Sequence, residues 1–238
     1  MNYYFITGTS SGIGKALAEE ILKDETNWVV GLSRRNVINH ARYAHHYLDL
    51  SIIEEVKRYE FPRLDEAKQL VLINNSGQIG DIKRIGTADN DAIDNLFKVN
   101  LIAPAILMNL YMQCYMNHNA ERIVLNVSSG AANYPIDSWA PYCSSKAGLD
   151  HLTRTIHEEQ KITQWGIKVY SIAPGIVDTE MQSEIRSSNS EDFSRYDDFV
   201  RLKEQNELTS PEAVAKLYLE ILRNTERYTE PVDTLRNM

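Results

Sequence analysis

Short apolar runs recur along the chain at Tyr3–Thr7, Trp28–Leu32, Leu70–Asn74, Arg122–Ser128 and Ile167–Ala173, with a weaker one at Tyr47–Leu50. Several are continuous rather than alternating, the pattern of strands covered on both faces of a parallel sheet. Between them, apolar positions at helical spacing predict helices over Ile13–Lys23, Ile52–Tyr59, Asn90–Met116 with a break near Pro104, Tyr142–Gln160 and Pro211–Arg223. Strands that alternate with helices imply βαβ units and a doubly wound parallel sheet with helices on both faces, an α/β single domain over residues 1–238. The stretch Thr179–Ser210 interrupts this alternation. It is polar and weakly periodic, and it follows a strand's C-terminal end, where an insertion is well placed to cover a ligand crevice.

Composition narrows the function classes. Hydrophobic residues at 43% and charged residues at 24% are ordinary globular values rather than those of a disordered chain. A formal charge of −8 makes nucleic acid an unsuitable partner, because phosphate backbones are repelled. Two cysteines, Cys114 and Cys143, both in predicted helices, make no disulfide framework and fit a reducing, cytoplasmic setting. No run of 18 apolar residues offers a membrane span, and the N-terminus enters a strand without a secretory signal pattern. His45 and His46 are adjacent, but no carboxylate or cysteine pattern accompanies them, so no metal site is expected.

The first strand runs directly into Thr7-Gly8-Thr9-Ser10-Ser11-Gly12-Ile13-Gly14, and a helix opens there. Glycines permit the tight turn and the close approach of backbone to a pyrophosphate, and the helix N-terminus presents free N–H groups to the anion. This strand–turn–helix context predicts a Rossmann-fold dinucleotide site. At the end of the second strand, Ser33 stands where a carboxylate would bind the ribose hydroxyls of NAD, and Arg34 and Arg35 follow. A missing carboxylate and a guanidinium that matches a phosphate dianion both point to NADP(H).

Tyr142 and Lys146 lie four apart on a predicted helix and therefore share a face. Reduction of a carbonyl by hydride needs a proton donor, and an ammonium beside a phenol draws its high pKa toward neutrality. Ser129, thirteen residues before Tyr142 at the end of a strand, offers a hydroxyl to the developing oxyanion, with Ser128 as its neighbouring alternative.

Together these segments resemble the short-chain dehydrogenase/reductase family over almost the whole chain. The likeness rests on Thr7-Gly8-x-x-x-Gly12-x-Gly14, Asp49-Leu50, Asn74-Asn75-Ser76-Gly77, Asn100, Asn126-Val127-Ser128-Ser129, Tyr142-Cys143-Ser144-Ser145-Lys146 and Pro174-Gly175. The resemblance implies that Tyr142 is the acid/base, that Lys146 lowers its pKa and bonds the nicotinamide ribose, and that Ser129 polarises the carbonyl. It implies that Asn100 holds a water linking Lys146 to solvent. Gly8, Ser10, Ser11, Gly12, Ile13 and Gly14 then form the phosphate turn, and Ser33, Arg34 and Arg35 face the adenosine phosphate. Asp49 and Leu50 lie at the adenine, Asn74, Asn75, Ser76 and Gly77 along the ribose, and Pro174, Gly175, Ile176 and Thr179 at the nicotinamide. Ser76 departs from the family's usual alanine, and the long final strand of its acyl-carrier-protein reductases is missing.

Within the family, Trp139-Ala140-Pro141-Tyr142-Cys143 and Ala173 to Gln182 look closest to sepiapterin reductases and bacterial benzil reductases. The expected activity is NADPH-dependent reduction of a small ketone or vicinal dicarbonyl, with Trp139 as an aromatic wall and Asp233 as a candidate hydrogen-bond acceptor for substrate. The alternatives are a 3-oxoacyl-(acyl-carrier-protein) reductase and a non-catalytic NADP-sensing regulator. Surplus apolar positions on Leu101–Met116 and Tyr142–Gln160 suggest a homodimer or homotetramer.

Overall fold

The computed structural model describes residues 1–237. Seven parallel strands form one sheet in the order β3-β2-β1-β4-β5-β6-β7. They are β1 (Asn2–Thr7), β2 (Asn27–Ser33), β3 (Tyr43–Tyr47), β4 (Gln69–Asn74), β5 (Glu121–Val127), β6 (Ile167–Ala173) and β7 (Val232–Thr234). The order reverses at β1, which pairs with β2 on one side and β4 on the other. The C-terminal ends of the strands flanking that reversal open a crevice, the place where doubly wound sheets bind ligands.

Both faces are covered. Helices α1 (Gly12–Ile21) and α8 (Pro211–Arg223) pack Leu17, Ile21, Tyr218 and Leu222 against Tyr4, Ile6, Val71 and Ile123. On the other face α2 (Ile53–Lys57), α4 (Ala103–Tyr115) and α5 (Ala140–Thr163) pack against Phe5, Leu70, Leu72 and Val124. Successive residues of one strand, such as Leu70, Val71 and Leu72, thus feed opposite cores, which is why the strand runs read as continuously apolar.

The weakest strand signal is displaced. The third strand occupies Tyr43–Tyr47 rather than Tyr47–Leu50. Its register is fixed by pairing of Val29 through Ser33 with Tyr43 through Tyr47, and as an edge strand it needs no apolar run. Leu48 and Leu50 are buried because they fold under the crevice beyond the strand, not because they belong to it. The long helical segment also breaks differently. Helix α3 (Asn90–Phe97) continues into a π-helical turn, Lys98–Ile102, and Pro104 sits harmlessly in the first turn of α4. By length and mean hydropathy (1.2), Asn90–Tyr115 would suffice to cross a membrane, yet Leu107, Tyr111 and Tyr115 are core residues against the sheet.

A third cluster lies over the C-terminal edge of the sheet, apart from the two cores. It joins Ile79, Leu96, Trp139 and Tyr142 to Ile185, Phe193 and Phe199 of the inserted segment. That segment folds into α6 (Glu180–Arg186) and α7 (Tyr196–Glu204).

Candidate active site

The crevice has a volume of about 1040 Å³ and runs from the glycine turn to the inserted helices. At one end, Gly8 (φ +76°) and Gly12 (φ +53°) hold the turn after β1 in left-handed conformations. A Cβ on Gly14 would lie 2.3 Å from both the Asn75 Nδ2 and the Gly8 carbonyl oxygen, so only glycine lets α1 seat this close to the sheet. The α1 N-cap, Ser11, makes no side-chain cap. The turn therefore presents uncapped helix N–H groups to the crevice, a cradle that fits a pyrophosphate.

Two latches fix this end. Thr7 Oγ1 accepts from the backbone N–H groups of Asn75 and Ser76 at 2.9 Å each, while Asn75 Nδ2 donates to Thr7 O at 2.9 Å. Thr9 Oγ1 meets Tyr43 Oη at 2.8 Å and Ser33 Oγ at 3.3 Å, and Ser33 Oγ donates to Arg35 O at 2.9 Å. Ser33 thereby shapes the turn that exposes Arg34 and Arg35. Neither guanidinium has a carboxylate or hydrogen-bond partner among the described residues, and both line the crevice. Asp49 closes its own turn by accepting from the Ser51 N–H and hydroxyl.

At the other end, α5 begins after Trp139 and carries Tyr142 and Lys146 on its buried face. Tyr142 is 6% exposed, with its hydroxyl 3.9 Å from Met181 Sδ and facing Ser129. Burial pushes this phenol above its ordinary pKa, and the Ser129 hydroxyl partly opposes the shift. Lys146 Nζ lies 6.0 Å from the Tyr142 ring centroid and donates to Val127 O at 2.8 Å. Burial lowers its pKa to about 8, against the pull of Asp150. Ser129 leaves the end of β5 in extended conformation, and its hydroxyl also accepts from the Ala131 N–H at 3.2 Å.

The predicted residues do not all reach the crevice surface. Asn74 is 2% exposed and donates through Nδ2 to Asn126 Oδ1 at 2.8 Å, so it stitches β4 to β5 behind the wall. Gly14 also lies behind the wall and acts by packing. Asn100 is fully buried in the π turn. Its amide is occupied, with Oδ1 accepting from Gln78 N and Nδ2 donating to Gln78 O and Ser145 Oγ. The point a Cβ on Gly77 would occupy is 3.5 Å from both Asn100 Oδ1 and Lys146 Nζ. The remaining predicted cofactor residues line the crevice, as do Ser129, Trp139, Tyr142, Lys146 and Asp233. Asp233 has a second occupation, since its Oδ1 accepts from Thr234 N and Asn237 Nδ2.

Sequence reasoning found only one member of the aromatic wall. Trp139 stacks on Phe193 with centroids 5.4 Å apart, touches Phe199 at 5.4 Å and meets Tyr142 edge-on at 5.6 Å. The wall is strapped in place from the loop before α5. Asp137 accepts from Ser194 N and Oγ at 3.1 and 2.6 Å, and Ser138, at φ +63°, donates to Asp192 O. Thr9, Tyr43 and Gln78 were missed as well, because nothing in their local pattern distinguishes a latch from an ordinary polar residue.

Comparison with known proteins gives the family. Residues 2–190 match the short chain dehydrogenase family, and the chain belongs to that family of oxidoreductases. It is similar to a benzil reductase, (S)-benzoin forming, of Bacillus subtilis strain 168, at 38% identity over 93% of each chain. A sepiapterin reductase of Xenopus laevis is 28% identical over 91% of this chain and 89% of its own. Among solved structures, the KRED1-Pglu enzyme superposes with a TM-score of 0.80 at 27% identity, covering 93% of this chain and 94% of its own.

Proposed function

We propose that the protein is an NADPH-dependent carbonyl reductase acting on a small aromatic ketone or vicinal dicarbonyl. The observation that carries this reading is the convergence of Tyr142, Ser129 and Lys146 beneath the Trp139–Phe199 wall in one crevice with the glycine turn. When bound, the nicotinamide cofactor supplies the hydride. The Tyr142 hydroxyl gives its proton to the carbonyl oxygen, so that ketone plus hydride plus proton becomes a secondary alcohol. Ser129 donates a hydrogen bond to the same oxygen as charge gathers on it. Lys146, as an ammonium, favours the phenolate that Tyr142 leaves behind. Trp139, Phe199 and Met181 keep water from the reacting carbon.

NADPH oxidation measured with benzil, sepiapterin, simple diketones and an acetoacetyl thioester tests the substrate class. Turnover should be fastest with the aromatic diketone, and activity confined to the thioester would overturn the assignment.

Arg34 and Arg35 would hold the 2′-phosphate, since their guanidinium groups have no protein carboxylate to bind instead among the described residues. Arg34→Ala should weaken NADPH binding by about 10- to 100-fold, because a hydrogen bond to a charged group contributes about 1.5–3 kcal/mol. NADH binding should change by less than about twofold, since it has no phosphate to lose. Equal losses for both cofactors in a fluorescence titration would refute the assignment. The same reading puts the protein in the cytoplasm as a homodimer or homotetramer assembled through α4 and α5.

A further inference from the structure

We propose that Asp150 is a positioning residue of the reductase, a fixed negative charge that keeps Lys146 an ammonium turned toward the crevice. The inference rests on the role given to Lys146 above.

Among the described residues only two charged side chains are buried, Lys146 at 4% exposure and Asp150 at 2%. They carry opposite signs and stand four apart on the same face of α5, as Tyr142 and Lys146 do one turn earlier. A lone buried charge is costly, and its usual remedy is a partner of opposite sign. These two nonetheless form no contact pair. The amine donates to Val127 O at 2.8 Å, and the carboxylate accepts from Ser171 Oγ on β6 at 2.6 Å. The Ser128 hydroxyl also approaches the carboxylate. Asp150 is thus tethered from the sheet and acts on Lys146 through its field. An ammonium has three hydrogens, and this arrangement takes only one of them, leaving two for the crevice.

The surroundings contain no substitute anion among the described residues. Tyr142 and Arg154 face the pair from α5 itself, Ser128 from the end of β5, Ser171 from β6 and Asn100 from the π turn. Helix α8 lies on the other face of the sheet, where Tyr218 donates to Ile172 O at 2.8 Å and burial raises its pKa. Burial lowers the Lys146 pKa to about 8, and the Asp150 charge opposes it. Burial likewise raises the Asp150 pKa, while Ser128, Ser171, Arg154 and Lys146 favour its ionised form.

Lys146 is an ammonium below its pKa and loses the proton as pH rises through it. Removing the Asp150 charge lowers that pKa, so the falling limb of the kcat–pH profile should move to lower pH. In Asp150→Asn, kcat should be nearly unchanged at about pH 6. At about pH 8 it should fall roughly fivefold for a titration one unit lower. Asp150→Ser, smaller and still able to pair with Ser171, gives the same reading should the amide not be accommodated. The Lys146 amine is read independently of substrate by its ¹³Cε resonance in the cofactor-free protein, assigned by its loss in Lys146→Met. A lower titration midpoint in the Asp150 variants supports the proposal. An unmoved midpoint, or a loss of kcat equal at every pH, assigns Asp150 to packing alone and overturns it. If the wild-type protein reduces none of the ketones, the carbonyl-reductase reading fails, and the resonance still decides the question of Asp150.

Discussion

Replacing Tyr142 by phenylalanine should lower reduction of the preferred ketone by about 10²–10⁴-fold, the usual contribution of a positioned general acid. NADPH affinity should stay within about twofold. The change deletes one oxygen and keeps the ring, so the edge-on contact with Trp139 at 5.6 Å survives and the wall with it. The lost hydroxyl faces Ser129 and lies 3.9 Å from Met181 Sδ, a weak partner, so little binding of the protein to itself disappears. Stopped-flow measurement of NADPH oxidation, with a separate fluorescence titration of NADPH, divides chemistry from binding. Retention of full turnover would remove Tyr142 from the reaction. Unaltered biological activity in the same variant would instead favour a regulator that senses NADP without catalysis.

Much of this site was legible because its chemistry is carried by short spacings. Thr7 to Gly14 lies between a strand and a helix, and Tyr142 and Lys146 are one helical turn apart. The structure brings the turn and the pair to one crevice. The doubly wound sheet was legible too, since continuous apolar runs such as Leu70–Ile73 suit strands buried on both faces. The failures have physical causes. Edge strand β3, Tyr-Ala-His-His-Tyr, is half-exposed and held by backbone pairing with β2, so it carries no apolar signature. Asn74 belongs to a motif that reads as cofactor-binding, but position parity in β4 turns it toward Asn126 and away from the crevice. The aromatic wall is assembled from Trp139 and two residues more than fifty positions later, Phe193 and Phe199, and no local pattern joins them.

Gly14→Ala should cost the protein both stability and its cofactor. The added Cβ would sit 2.3 Å from the Gly8 carbonyl oxygen and 2.9 Å from the Gly8 carbonyl carbon, which are backbone atoms that cannot rotate aside. Relief requires α1 to lift from the sheet or the turn to open, and overpacking of this kind costs about 1–3 kcal/mol. For a chain of this length each kcal/mol corresponds to roughly 2–4 °C in Tm, so melting should fall by roughly 2–12 °C. The larger consequence is at the crevice. Asn75 Nδ2, also 2.3 Å from the added carbon, ties the ribose-side segment to Thr7 O, and displacing it spoils both walls of the phosphate cradle. Wild-type protein in NADPH at about 100 times its Kd should gain about 2.7 kcal/mol. Gly14→Ala should lose most of that increment. Gly130→Ala is the control, because nothing lies within 4 Å of a Cβ there and its melting should follow the wild type. A Gly14→Ala protein that melts like wild type, with the full NADPH increment, would mean that the glycine is not what seats α1 against the turn.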